Sequence, residues 1–277
     1  MVDRKLLIRR ISLAAYFVVA FVIFLFLLFP SAGLKAKLES EVRQRTPLEL
    51  NVGRVSPLFF NRFALSDVVI SDRSTGKVLF ESQSAHTAVS LWDLLRGLLS
   101  VDVKAKAYGG ELLVKAQQGP SRQYLRADAN GLEVGSYSLL KDAGFHVSGK
   151  LGGNFEMTGD AGKGKIVLKG LTSRELKIKG LPIPDLDFEQ CWLEADIKGD
   201  RLTIRKLELD GKELKVRCLG DVVLREKGSL SLTIRVKPSE VLARQQAGLF
   251  SMLKNKDAEG FYQFSLGGTL DAPMPRL

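Results

Sequence analysis

The residue types that most often carry chemistry are sparse in this chain and poorly placed for it. There are two histidines, His86 and His146. Each sits in a polar, strand-like stretch with no cysteine or paired acid beside it. Neither has the partner that a general base or a metal ligand needs, so both are expected as exposed surface residues. The two cysteines, Cys191 and Cys218, show no metal-ligand spacing. Each falls on the apolar side of its own alternating pattern. In a simple meander one strand, at about 202–209, would separate them by two strand spacings, roughly 9.6 Å, beyond disulfide reach. Two buried free thiols are therefore expected. The carboxylates Glu194, Asp196, Glu208 and Asp210 alternate with apolar residues and are balanced by lysines, the pattern of a solvated strand face. No Gly-x-Ser-x-Gly, phosphate loop or His-Glu-x-x-His occurs. Gly109-Gly110, Gly152-Gly153 and Gly267-Gly268 read as strand-end turns. The sequence predicts a non-enzymatic protein, with no catalytic, metal-binding or cofactor-binding residue.

What the sequence does pattern is an apolar surface. Phe188–Lys237 reads as apolar and charged residues in alternation, broken by Gly199-Asp200, Asp210-Gly211-Lys212 and Lys227-Gly228. Alternation with period two puts one set of side chains on each face of a sheet. Ile204, Val216, Leu230, Leu232, Ile234 and Val236 belong to the apolar set and are expected on one shared face, as a lipid seat or as core. The phase slips by one at Arg205-Lys206, as a β-bulge would make it do. Two stretches with helical spacing, 90–98 and 240–254, are candidates to cover this face. A largely covered face is expected, because no lipid-specific residue is visible. Ile234→Asp would then unfold the protein, whereas on an open face it would leave a folded protein without lipid.

The remainder is consistent with a sheet. Short strands are predicted around Leu50–Val55, Phe63–Ile70 and Val78–Phe80, then at Val101–Tyr108 and Glu111–Gln117. Further strands follow at Val147–Met157, Lys163–Lys169, Leu176–Lys179 and Phe261–Leu270. The pattern weakens over Gly119–Leu140, read as a short helix or turn within a crossover. Leu181-Pro182-Ile183-Pro184 reads as an edge or loop element, because proline cannot donate to a central ladder. Trp92 is expected as a packing residue, or as an anchor near a bilayer surface, rather than as a ligand-stacking one.

Upstream of these strands, Ile11–Phe29 is a run of nineteen residues without a charge. As a helix it would rise about 28 Å, close to the hydrocarbon thickness of a bilayer. Arg4, Lys5, Arg9 and Arg10 precede it against one acid, Asp3, which predicts a cytoplasmic N-terminus and a translocated remainder. The run is long for a cleaved signal, and Ser31-Ala32-Gly33 is a mediocre cleavage site, so an uncleaved anchor is expected. The predicted organisation is a basic tail at 1–10, an anchor at 11–30, an amphipathic linker helix at 31–46 and a β-rich unit at 47–277. The net charge of +10 is scattered along strands. That argues for solvated faces, mildly attractive to an anionic bilayer, and against a nucleic-acid partner. The fold class is mainly β: a single N-terminal transmembrane helix followed by a twisted or rolled, mostly antiparallel sheet with a few short helices.

The basic-flanked span, Leu50–Asp72, Val89–Leu112, His146–Gly159 and Phe264–Leu277 together give the chain a layout that resembles the type II secretion system protein N family. More distantly it resembles the AsmA-like periplasmic proteins. The likeness covers nearly the whole chain, but its motifs are glycines and apolar residues and carry no catalytic group. It implies a single-pass inner-membrane protein with an AsmA-like periplasmic sheet, whose partners are other type II secretion components. The AsmA side of the likeness implies phospholipid binding or transport as the alternative.

Overall fold

The computed structural model describes residues 31–277 except 60, 121–122, 143, 175–176, 179–180, 183–184, 226–227, 252, 254–255, 271 and 277. The expected span at Ile11–Phe29 lies outside the described residues. Among those described, no helix is long and apolar enough to cross a membrane.

The chain opens with helix α1 (Ser31–Arg45) and then builds a long meander. Its strands are β1 (Leu48–Phe59), β2 (Arg62–Asp72), β3 (Val78–Val89), β4 (Leu99–Ala107), β5 (Gly110–Gln118), β6 (Gln123–Glu133), β7 (His146–Thr158) and β8 (Ala161–Arg174). A separate two-stranded ladder, β9 (Lys177–Ile178) and β10 (Leu181–Pro182), comes next. The large sheet resumes with β11 (Leu186–Lys198), β12 (Arg201–Gly211), β13 (Leu214–Val223), β14 (Leu230–Pro238), β15 (Tyr262–Gly268) and β16 (Pro273–Arg276). Short helices stand in three connections: α2 (Leu91–Leu95) after β3, α3 (Ser138–Asp142) after β6, and the pair α4 (Glu240–Gln245) and α5 (Ala247–Phe250) after β14.

These strands form one 14-stranded sheet in chain order, with β8 beside β11. Every described pairing is antiparallel. Thirteen spacings of about 4.8 Å make it about 60 Å wide. The sheet is open, since β1 and β16 each have one strand neighbour. Pro273 and Pro275 stand at alternate positions of β16. Proline in a ladder turns its missing N–H outward, so this edge offers few donors to an added strand.

Two expectations change. The weak stretch Gly119–Leu140 is no crossover: it contains the full strand β6, paired with both β5 and β7. Its apolar face is built from Leu125, Ala127 and Ala129, and the two alanines are too small to stand out in a hydrophobic pattern. β3 also runs on through Glu81–Ala88, where serine, alanine and threonine conceal the alternation. Other expectations hold. β12 bulges between Ile204 and Leu207, at Arg205-Lys206. β12 also lies between the two cysteines, which are buried and free.

Candidate functional site: an open apolar face

Directly opposite residues on neighbouring strands project to the same side of a sheet. Following the register from β1 to β15 gives Val55, Leu65, Ala85, Ala105, Leu112, Ala129, Gly153, Ile166, Leu193, Leu207, Cys218, Ile234 and Phe264. This row crosses thirteen strands without a polar side chain. A parallel row includes Val103, Val114, Ala127, Phe155, Gly164, Ala195, Ile204, Gly220 and Leu232. A third passes through Val101, Ala116, Leu125, Met157, Gly162, Ile197 and Leu202.

The other face carries charge at the intervening positions. Lys104 pairs with Glu111 at 3.2 Å, Arg126 with Asp128 at 2.8 Å and with Glu156 at 3.4 Å, and Lys165 with Glu194 at 2.9 Å. Asp196 meets Arg205 at 2.6 Å. The hydrogen bond from Arg126 holds the Asp128 carboxyl below its ordinary range. Each pair is solvent-exposed and worth little singly. Together they fix which face meets water. His86 and His146 are exposed, and no group of three or more potential metal ligands occurs among the described residues.

Helices cover the apolar face at two places. α1 runs antiparallel to β1 and sets Leu34 against the buried cluster Val52, Val55, Val68, Ala85 and Ala105. Here the ladder skips Gly53 and Asp67, and the freed Val52 N–H donates to Glu39 Oε1 at 3.1 Å. At the other cover, α4 and α5 place Leu242 and Phe250 on Leu186, Phe188 and Cys191. Ser239 caps α4 by accepting from Leu242 N at 3.2 Å. Burial pushes the Cys191 thiol up to about 11 and raises that of Cys218.

Between these covers, on β5–β8 and the adjoining halves of β11–β14, the apolar rows are only half-buried. Three rows by about seven strands make a strip of roughly 20 Å by 30 Å, about 600 Å². That matches the largest apolar patches that soluble monomers tolerate. Its floor is lowered by glycine. The Phe155 ring lies against the positions where Gly162 and Gly164 would carry a Cβ, with ring atoms 3.2 Å from each. A branched side chain there would displace the ring.

The six residues singled out by alternation share this face but differ in cover. Val236 packs against the cluster under α4–α5, and Val216 is its direct partner on β13. Ile204, Leu230, Leu232 and Ile234 are half-buried and lie outside both covered clusters. The expected cover at 90–98 does not form over them: α2 buries none of its residues. Most of the open strip is hard to read in the sequence, because in β4–β8 valine, alanine and glycine fill much of it and leave Leu112, Leu125, Phe155, Met157 and Ile166 as scattered large residues. The only signal was period-two spacing in stretches such as VDVKAKA and GELLVKAQ.

Comparison of the chain with protein-family models, with curated proteins and with solved structures finds no match.

Proposed function

We propose that this protein is a non-enzymatic, inner-membrane-anchored periplasmic protein that holds phospholipid acyl chains on the open apolar face of its sheet. The observation that carries the reading is the half-buried strip between the two helical covers. An acyl chain reaches about 15 Å, half the hydrocarbon thickness of a bilayer. It would lie along the strip without meeting a charge. The anchor and the orientation rest on the uncharged run Ile11–Phe29 and its basic flank.

The type II secretion reading keeps the same anchor and scaffold and makes the protein a partner of other secretion components. It is favoured by the stretches that carry the family likeness. These fall on β1–β2, on α2 with β4 and the start of β5, on β7, and on most of β15 with β16.

Native mass spectrometry of the full-length, detergent-purified protein separates the two. Retained phospholipid is expected. A bare chain, or one carrying only protein subunits, would remove the lipid reading. Ile166→Asp, in the middle of the strip, should leave the fold within about 1 kcal/mol of the parent and abolish lipid retention. For topology, a cysteine introduced at Thr75 should react with a membrane-impermeant maleimide from the periplasmic side, because both native thiols are buried. Reaction only after the inner membrane is opened would reverse the orientation.

A further inference from the structure

Helix α2 is built inside out. Of its five residues, only Asp93 is polar, and Asp93 is the one turned toward the protein. Its backbone N–H donates to Ser90 Oγ at 3.3 Å, and its carboxyl is held below its ordinary range by the Ser100 and Ser90 hydroxyls. The apolar residues face outward: Leu91 is 52% exposed, Trp92 70%, Leu94 53% and Leu95 77%. Leu99, which opens β4 just after the helix, extends the patch and is 48% exposed. An exposed cation flanks it: Arg96 stands over the Trp92 ring at 5.8 Å from its centroid. Leucine below, tryptophan and arginine at the rim is the composition of an element lying in the headgroup layer of an anionic bilayer.

The described start of the chain lies at the same end as this patch. Val89 N donates to Asn61 O at 2.9 Å, which ties α2 to the β1–β2 turn. α1 runs toward the same end. Arg43 pairs with Glu49 at the start of β1, Glu39 reaches Val52, and Leu34 packs near Val55. From Glu39 to Ser31 the helix climbs about 12 Å, roughly four strand residues, leaving its start close to the Phe59 end of β1. The thirty residues beyond Ser31 include Ile11–Phe29. The third apolar row also opens at this end, through a hollow of about 320 Å³ lined by Leu99, Val101, Ala116, Leu125 and Met157.

We infer that α2, with Leu99, seats this end of the sheet in the anionic phospholipid surface of the bilayer that Ile11–Phe29 enters. The apolar strip then begins at the membrane. The inference rests on the anchor reading and not on occupancy of the strip.

The test uses the full chain in vesicles of phosphatidylcholine and phosphatidylglycerol. An environment-sensitive fluorophore is placed at Leu95→Cys or, as a control at the opposite end, at Thr75→Cys. The probe at 95 should be quenched severalfold by nitroxide-labelled lipid and little by aqueous iodide, and the probe at 75 should show the reverse. A probe at 95 open to iodide would overturn the proposal. So would one shielded from both quenchers, since that means a protein covers the patch. Alkaline carbonate tests the anchor separately. Release of the chain from the vesicles removes the anchor reading, whereas retention with an iodide-accessible position 95 removes the seat alone.

Discussion

Helices α2 and α4–α5 occupy equivalent places in the meander, each inserted between two strands that pair as neighbours. Both begin at a serine cap, and both carry leucines and an aromatic residue. In α4–α5 the caps and charges face water, and Leu242 and Phe250 are pressed onto the sheet. In α2 the order is reversed: the acid faces the protein and four apolar side chains face out. An amphipathic spacing shows that a helix has an apolar side. It does not show which surface that side meets, because that depends on the length and direction of the connection. Each helix follows its strand after a single serine, but eleven residues lead from α5 to β15 and only three from α2 to β4, so α4–α5 alone has enough chain to lie back over the sheet. α2 is held at the end of β3 by the bond between Val89 and Asn61.

The largest effects should come from substitutions that test this reversal directly. Phe250→Ala should cost about 3–5 kcal/mol and Leu242→Ala about 2–5 kcal/mol, read as urea unfolding free energies. Trp92→Ala and Leu95→Ala should stay within about 0.5 kcal/mol of the parent, since neither side chain is buried. A loss at Trp92 as large as that at Phe250 would mean that α2 packs on the protein in solution and that the contrast is false.

A middle-sized effect belongs to the clasp that returns the chain from α5 to β15. Asp257 accepts from Arg235 and from Phe261 N, and Phe261 is buried with Arg217 at 4.8 Å and Arg235 at 4.9 Å from its ring centroid. The Asp257 carboxyl is held below its ordinary range, first by the Arg235 hydrogen bond. A carboxyl depressed in the folded state binds its proton more readily in the unfolded chain. Its contribution is therefore complete above the unfolded value, about 3.9, and is lost as pH falls below it. Stability should be flat from pH 5 to 8 and fall below about pH 4. Asp257→Asn should lower the plateau and flatten the acid limb. An unchanged limb in that variant would show that the clasp does not hold α4–α5 down.

The sheet was legible where large residues alternate with charge. Leu230, Leu232, Ile234 and Val236 against Ser231, Thr233 and Arg235 read as a strand at once, and the slip at Arg205-Lys206 announced its bulge. It was illegible where the apolar face is made of small residues. Ala127 and Ala129 in β6, and Gly162 and Gly164 in β8, share the apolar face with Leu112 and Leu193 but leave almost no hydrophobic signal. The open strip was hidden for the same reason. A face that no second layer covers does not need bulky residues to fill a core, so its sequence looks weakly patterned where it matters most.

The smallest effect is kinetic, and it sharpens the same contrast within one face. Cys191 lies beneath α4–α5, 2% exposed, and Cys218 lies one strand beyond its neighbour β12, 6% exposed and outside that cluster. Burial raises both thiols, Cys191 to about 11, and the thiolate is the reactive form. At pH 8 neither should react with an aromatic disulfide reagent on the time scale of mixing. Slow reaction should then report local opening rather than intrinsic reactivity. Leu242→Ala loosens only the cover over Cys191. It should speed labelling there severalfold while leaving Cys218 nearly unchanged, as read by mass spectrometry of peptides from each site. Equal acceleration at both cysteines would mean that covered and open parts of the face unfold as one unit. The strip would then share the stability of its cover and form a rigid floor rather than one that gives locally.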